Sequence, residues 1–232
     1  MDAVYLFGGA GGEDELKFSL RTVGNLRQVD RVVVAGHPPD WLAGEVLHVP
    51  PTGHPPGKHH STWANLRAAC ADRRLSDEFV LMNDDFFVLE PVDAVPVWHA
   101  GVLTSRPVLR KHHDRRRDAT LAVLAELGAP GRLSYELHVP MVIHRRLMLA
   151  LMDEADALRP AGADPVWKRT LYGNLAHPGV GELHTDVKAR DAFDVPADGQ
   201  LFVSASDFTW RRGAVGRWVR TRFPDRCRYE RG

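Results

Sequence analysis

The chain has 232 residues, with 30 Lys and Arg against 30 Asp and Glu, so its formal net charge is zero. That length suits one sizeable core, and 44% hydrophobic residues suit a globular protein. No apolar run approaches the roughly 20 residues that span a bilayer, no basic segment with an apolar signal core opens the chain, and Cys70 and Cys227 make neither a disulfide framework nor a thiolate metal site, so the expectation is a cytoplasmic protein.

Val4-Tyr5-Leu6-Phe7 is apolar and β-prone, which predicts a first strand running into the turn Gly8-Gly9-Ala10-Gly11-Gly12. The turn has neither the spacing of a dinucleotide fingerprint nor the Lys-Ser/Thr ending of a P-loop. Two readings therefore stay open for Phe7, Gly8 and Gly9, a plain turn or a nucleotide contact. Behind Asp14-Glu15, Leu16, Leu20, Val23 and Leu26 recur on one helical face. Arg31 to Gly36 predicts a second strand and Val46 to Val49 a third. Pro50 to Lys58 predicts a loop, with Ser61 capping a helix that carries Trp63, Leu66, Arg67 and Cys70. This alternation predicts an α/β fold with a mostly parallel sheet, whose ligands gather beyond the carboxyl ends of the strands.

The stretch Phe79-Val80-Leu81-Met82-Asn83-Asp84-Asp85-Phe86-Phe87-Val88-Leu89 carries the most chemistry. Two adjacent carboxylates in the middle of a buried strand would cost several kcal/mol. The strand is therefore expected to end at Asn83, with Asp84 and Asp85 at its mouth facing a cation or substrate; the alternative is a capped turn with both charges outward. Mg2+ or Mn2+ fits such oxygens, because these ions commonly bridge carboxylates to substrate phosphates.

In the second half, Val97 to Thr104 predicts a strand with Trp98 and His99, and Asp118 to Leu127 a helix stopped at Gly128-Ala129-Pro130-Gly131. Ser134 to Pro140 reads as extended, Met141 to Leu151 as an apolar helix, and Leu201 to Ser204 as a late strand. In the extended segment Glu136 and His138 fall on one side. His138 is open between general base and packed polar histidine. His184, Asp186 and Lys188 alternate, which suits either a polar cleft or a surface hairpin. Asp207 is open between acidic ligand and cap. His59-His60 and His112-His113 are expected at the surface or in weak substrate contact; Trp63, Trp98, Trp167 and Trp210 are open between stacking on a sugar or base and core packing, with packing favoured. Two basic patches stand out: Arg106, Arg110, Lys111, Arg115, Arg116 and Arg117, and the eight arginines between Arg211 and Gly232. Clustered arginines bind phosphates by charge and bidentate geometry.

The ordered set of motifs resembles the Stealth-type sugar-phosphate transferases, which have a glycosyltransferase A-like nucleotide-sugar fold. The likeness rests on Glu15-Leu16-Lys17-Phe18-Ser19-Leu20-Arg21, Arg31 to Val34, Pro39-Asp40-Trp41-Leu42, Leu75 to Phe87, His138 to Ile143, and Phe202 to Asp207. It implies a catalytic domain over residues 1–210, with 211–232 as a basic C-terminal segment packed on or near it. It also implies donor or metal binding by Asp84 and Asp85, a metal role for Asp207, a base at His138, and donor-phosphate contact by Arg21. Where the family carries a Trp-containing first strand, this chain runs directly into glycines, and the region after Arg159 is compressed.

Together these features predict a metal-dependent transferase that moves a sugar from a nucleotide-diphosphate sugar, UDP-sugar favoured, to an acceptor hydroxyl. In an inverting reaction His138 would be the base, with Glu136 orienting it or replacing it, whereas a retaining reaction needs no such base; Asn83 would contact the substrate or tie down the bend. The short chain and altered flanks place glycosyl transfer ahead of sugar-1-phosphate transfer to a glycan. The arginine patches point to a polyanionic glycan or to hydroxymethylated DNA, the latter by similarity to small phage glycosyltransferases. The other classes are a non-catalytic nucleotide-sugar-binding protein and a structural or interaction protein.

Overall fold

The computed structural model describes residues 1–9, 12–53, 57–103 and 111–231, without the side chains of residues 111 and 112. Arg106, Arg110 and the side chain of Lys111 from the first basic patch therefore lie outside the described residues. So do Ala10 and Gly11 of the glycine turn, Thr104 and the side chain of His112.

In chain order the elements are β1 (Asp2–Phe7), α1 (Glu13–Thr22) with a 3-10 turn at Val23–Asn25, β2 (Arg31–Gly36), β3 (Leu47–Val49) and α2 (Lys58–Ala71). Next come β4 (Glu78–Met82), β5 (Phe86–Val88), β6 (Trp98–His99), α3 (Lys111–Glu126), β7 (Met141–His144), α4 (Arg145–Leu158) and α5 (Lys168–Ala176). The chain closes with β8 (Glu182–Leu183), β9 (Lys188–Ala189), β10 (Phe202–Ala205), α6 (Asp207–Arg211) and α7 (Ala214–Arg222).

The central sheet has the order β3-β2-β1-β4-β7; all its pairs are parallel except β4 with β7. This is the α/β class with a mostly parallel sheet that the alternation predicts. Both faces are covered, so the strands read as near-continuous apolar runs. On one face Val4, Leu6, Val33 and Leu81 meet Trp63 and Leu66 of α2 and Met148 and Met152 of α4. On the other, Tyr5, Phe7, Val34 and Met82 meet Leu16 and Leu20 of α1, with Phe86, Leu137 and Phe202. Burying each such large side chain contributes about 1.5–3 kcal/mol. Tyr5 lies opposite Met82 in the parallel β1–β4 register, so the glycine turn and the Asn83-Asp84-Asp85 bend leave the same edge side by side.

A smaller sheet, β5-β10-β9, continues from that bend. One of its faces packs Phe87 and Val203, together with Phe18 of α1, against Trp210, Val215 and Val219. Trp210 stacks on Phe87 at 5.0 Å and donates its indole N–H to Asp14 at 3.0 Å. The tail beyond α7 is also tied down: the Ala43 N–H donates to the Tyr229 carbonyl and the Arg231 N–H to the Trp41 carbonyl. The basic segment after residue 210 thus shares a core with the rest.

Three sequence expectations are corrected. Met141 to His144 is not the start of a helix but an antiparallel strand, with Ile143 opposite Phe79. The outer edge of β4 needs a ladder partner, and Met-Val-Ile supplies β-prone side chains for it; α4 begins only at Arg145, with the His144 ring as N-cap. Helix α2 starts at Lys58, and Ser61, instead of capping it, donates its hydroxyl back to the Gly57 carbonyl. The strand expected from Val97 shrinks to Trp98–His99, paired with β8. Among the described residues no helix is long and apolar enough to cross a membrane.

Candidate active site

A cleft of about 570 Å³ opens where β1 and β4 end. Its walls are the first turns of α2 and α5, Arg116 of α3, the Ser134–His138 segment and the Asp186–Arg190 segment. It gathers Asn83, Asp84, Asp85, Glu136 and His138, which are far apart in sequence.

At the acidic bend, burial and then the neighbouring Asp85 charge push the Asp84 carboxyl up to about 6, against the pull of Lys58 and Lys188. Gly12 closes over this group: a Cβ there would stand 2.2 Å from Asp84 Oδ2. Its φ of −106° is ordinary, so the close approach, not backbone freedom, requires glycine. Asp85 Oδ2 accepts from Lys188 Nζ at 2.9 Å and Ser204 Oγ at 3.1 Å, while its buried Oδ1 has no partner among the described residues. Asn83 Oδ1 accepts from Arg169 Nη2 at 3.1 Å, which ties the bend to α5.

Behind the bend sits Glu15, 5% exposed, whose carboxyl is pushed up to about 7 by burial, with the Asp84 and Asp207 charges adding to it. Asp207 is therefore felt at this end of the site, but it is exposed at the first position of α6 and does not line the cleft. The cap of α6 is Ser206, in a reciprocal capping box with Thr209. No group of three or more His, Cys, Asp or Glu side chains able to hold a metal ion occurs among the described residues. The residues present fit a divalent cation in a narrower sense. Asp84 and the orphaned Asp85 Oδ1 are hard oxygens, and Mg2+ is commonly held by one or two carboxylates plus substrate phosphates.

The second functional feature is a histidine–carboxylate pair. His138 Nδ1 lies 2.9 Å from Asp186 Oδ1 and 3.0 Å from Oδ2, and the His138 backbone N–H donates to the same carboxylate at 3.2 Å. Burial alone would raise the Asp186 carboxyl, but bonds from His138 and Arg190 bring it down to about 2. A carboxylate there accepts the Nδ1–H and leaves Nε2 with the free lone pair, the tautomer a base needs. Glu136, expected to orient His138 or to replace it as base, lines the cleft but makes no hydrogen bond to His138 among the described residues. Its Oε1 accepts the backbone N–H groups of Arg169 and Thr170, each at 3.1 Å, and so caps α5.

Arg21 is not brought to the cleft. It donates Nε to Glu230 Oε1 at 2.8 Å, Nη2 to Oε2 at 3.0 Å, and Nη1 to the Pro224 carbonyl at 2.8 Å, clamping α1 to the C-terminal tail. The Phe7 side chain is core, Gly8 is exposed, and Gly9 turns with φ +89° against His37. Of the alternating trio, Asp186 and Lys188 face the cleft, whereas His184 stacks on Trp98 at 3.9 Å. Lys58, Arg116, Lys168 and Arg169 also line the cleft and were not singled out as site residues; their signal is a cation at the start of a helix or facing one.

No protein-family model and no curated protein matches the chain. Among solved structures it is similar to 4-diphosphocytidyl-2C-methyl-D-erythritol synthase from Anaerococcus prevotii, with 13% identity over 76% of this chain and 84% of that one and a TM-score of 0.37. It is also similar to an active-site mutant of LgtC, with 11% identity over 75% of this chain and 70% of that one and a TM-score of 0.44. The galactosyltransferase LgtC in complex with donor and acceptor sugar analogs is matched at the same identity and coverage with a TM-score of 0.43. Likenesses this remote stand as observations and carry no argument about family or activity.

Proposed function

We propose that the chain transfers a sugar from a nucleotide-diphosphate sugar, UDP-sugar first, to an acceptor hydroxyl in the Asp84–His138 cleft. The observation that carries this reading is the presence in one cleft of an acidic bend with an orphaned carboxylate oxygen and a carboxylate-oriented histidine. The motif order of the sequence, which resembles a glycosyltransferase A-like family, supports it.

His138 Nε2 takes the proton of the acceptor hydroxyl. The hydroxyl oxygen bonds to the anomeric carbon, the bond from that carbon to the β-phosphate oxygen breaks, and the nucleoside diphosphate leaves. Asp186 holds the base tautomer and stabilises the imidazolium that forms. Asp84 and Asp85 would hold a divalent cation, which when bound supplies charge neutralisation for the leaving diphosphate. Lys188 and Ser204 fix the Asp85 carboxylate so that Oδ1 stays turned to that task.

The acceptor reading rests on charge. Arg211, Arg212, Arg217, Arg222 and Arg226 are exposed on α6, α7 and the tail, which suits a hydroxyl on a polyanionic glycan or on hydroxymethylated DNA. A nucleotide-sugar panel with Mg2+ or Mn2+, against both acceptors, tests the proposal by the nucleotide released. Nucleoside diphosphate marks glycosyl transfer, nucleoside monophosphate marks sugar-1-phosphate transfer, and release of neither rejects the reading. DNA binding that weakens with salt and with neutralised arginines selects the DNA acceptor.

A further inference from the structure

The cleft has a cationic end that the transfer chemistry above does not use. Lys58 opens α2 and Lys168 opens α5, and both line the cleft beside Arg116 of α3. Arg116 is held in place, donating Nε to the Pro165 carbonyl at 2.9 Å and Nη1 to His59 Nδ1 at 3.0 Å. The Lys168 ammonium makes no hydrogen bond or ion pair among the described residues. Next to it Arg169 is 4% exposed, and its buried Nε has no partner among the described residues.

Lys168 has the least counter-charge here. Glu136 attracts Arg116, Lys168 and Arg169 together while its Oε1 accepts the first N–H groups of α5, whereas Asp164 also attracts Arg116 and Asp85 also attracts Arg169. Burial brings the Lys168 ammonium down to about 7, with Arg169, Arg116 and Lys58 adding to the effect. Arg116 and Lys168 are half-buried and Lys58 is exposed, so an anion with several oxygens in the cleft can meet all three and offset their mutual repulsion. Lys58, His59 and Thr62 of the first turn of α2 line the same space. Lys58 also offsets the Asp84 charge, as Lys188 does, so it stands between the acidic bend and the cationic end of the cleft.

We propose that Lys168, Lys58 and Arg116 form a phosphate-binding subsite of the cleft, next to the Asp84–Asp85 bend. The phosphate is carried by the donor or by a phosphorylated acceptor; the recognising chemistry is the same. Only the choice between those two sources rests on the transfer reading.

Calorimetric titration of the full chain with inorganic phosphate and with pyrophosphate tests this, in wild type, Lys168→Met and Lys58→Met. Lys58 is exposed, so its variant keeps the test informative if Lys168→Met fails to fold. The expected result is binding to wild type that weakens about tenfold or more in each folded variant, a loss of one good charge-assisted contact. Repeating the titration with saturating UDP assigns the source: competition places a donor phosphate at the subsite, and independent binding places an acceptor phosphate there. Absence of phosphate and pyrophosphate binding, or variants that bind like wild type, overturns the subsite. Because binding is read without turnover, failure here leaves the transfer proposal standing, and failed turnover leaves the subsite standing.

Discussion

His138 Nδ1 and Asp186 Oδ1 lie 2.9 Å apart although 48 positions separate them in the sequence. Replacing Asp186 with Asn offers the ring an amide in place of an acceptor-only carboxylate and favours the wrong tautomer. Turnover of Asp186→Asn should fall by about 10²–10⁴, with donor affinity nearly intact. Steady-state kinetics with a separate donor-binding measurement checks this; loss confined to donor affinity would reject Asp186 as the residue that positions the base.

Asp85 presents a different balance, because its paired Oδ2 is structural and its orphaned Oδ1 is available. Asp85→Asn should cost roughly 1–3 kcal/mol of stability and remove cation-dependent turnover while the chain stays folded. Circular dichroism melts and a Mn2+ titration read the two effects separately. Wild-type turnover in the variant would remove Asp85 from the site.

Arg21 and Glu230 form a pair with side chains 10% and 5% exposed. Truncating one partner strands the other charge, so Arg21→Ala should destabilise the fold by about 3 kcal/mol. Donor affinity of the folded variant should stay at the wild-type level. Denaturant melts and donor titration decide; a stable variant with lost donor binding would return Arg21 to the donor-contact role implied by the motif resemblance.

Glu15 gives a pH signature. Its folded carboxyl is raised to about 7 from the usual 4.5, so the native state holds the extra proton between those values. Stability from this group is therefore present at low pH and lost as pH rises toward about 7. Glu15→Gln stays neutral throughout and should gain on the order of 2–3 kcal/mol over wild type at pH 8. The gain should vanish near pH 4. Equal melting of the two proteins at pH 8 would contradict the burial argument.

Much of the central sheet was legible because a strand covered on both faces must be apolar along its whole length. Arg31 to Gly36 reads as a strand for that reason, and the carboxylates of Asp84 and Asp85 mark the end of β4 by their desolvation cost. The strand Met141–His144 was hidden because four β-prone residues before a helix share their composition with a buried helical turn, and only the open edge of β4 decides between them. Asp186 was visible as one of an alternating trio, yet nothing local links it to His138. Arg21 carried the opposite difficulty: a motif position that resembles a donor contact is occupied by a tertiary clamp whose partner, Glu230, lies 209 residues away.

The central claim is that one cleft both holds the donor and removes the acceptor proton. Single-turnover reaction of a nucleotide sugar labelled at the β-phosphate, in wild type and His138→Ala with Mg2+ or Mn2+, tests it most directly. Wild type should release labelled nucleoside diphosphate while the sugar passes to the acceptor, and His138→Ala should bind the donor as tightly yet react about 10²-fold or more slowly. Release at the same rate in both proteins, or label carried from the β-phosphate into the acceptor, would contradict glycosyl transfer with His138 as base.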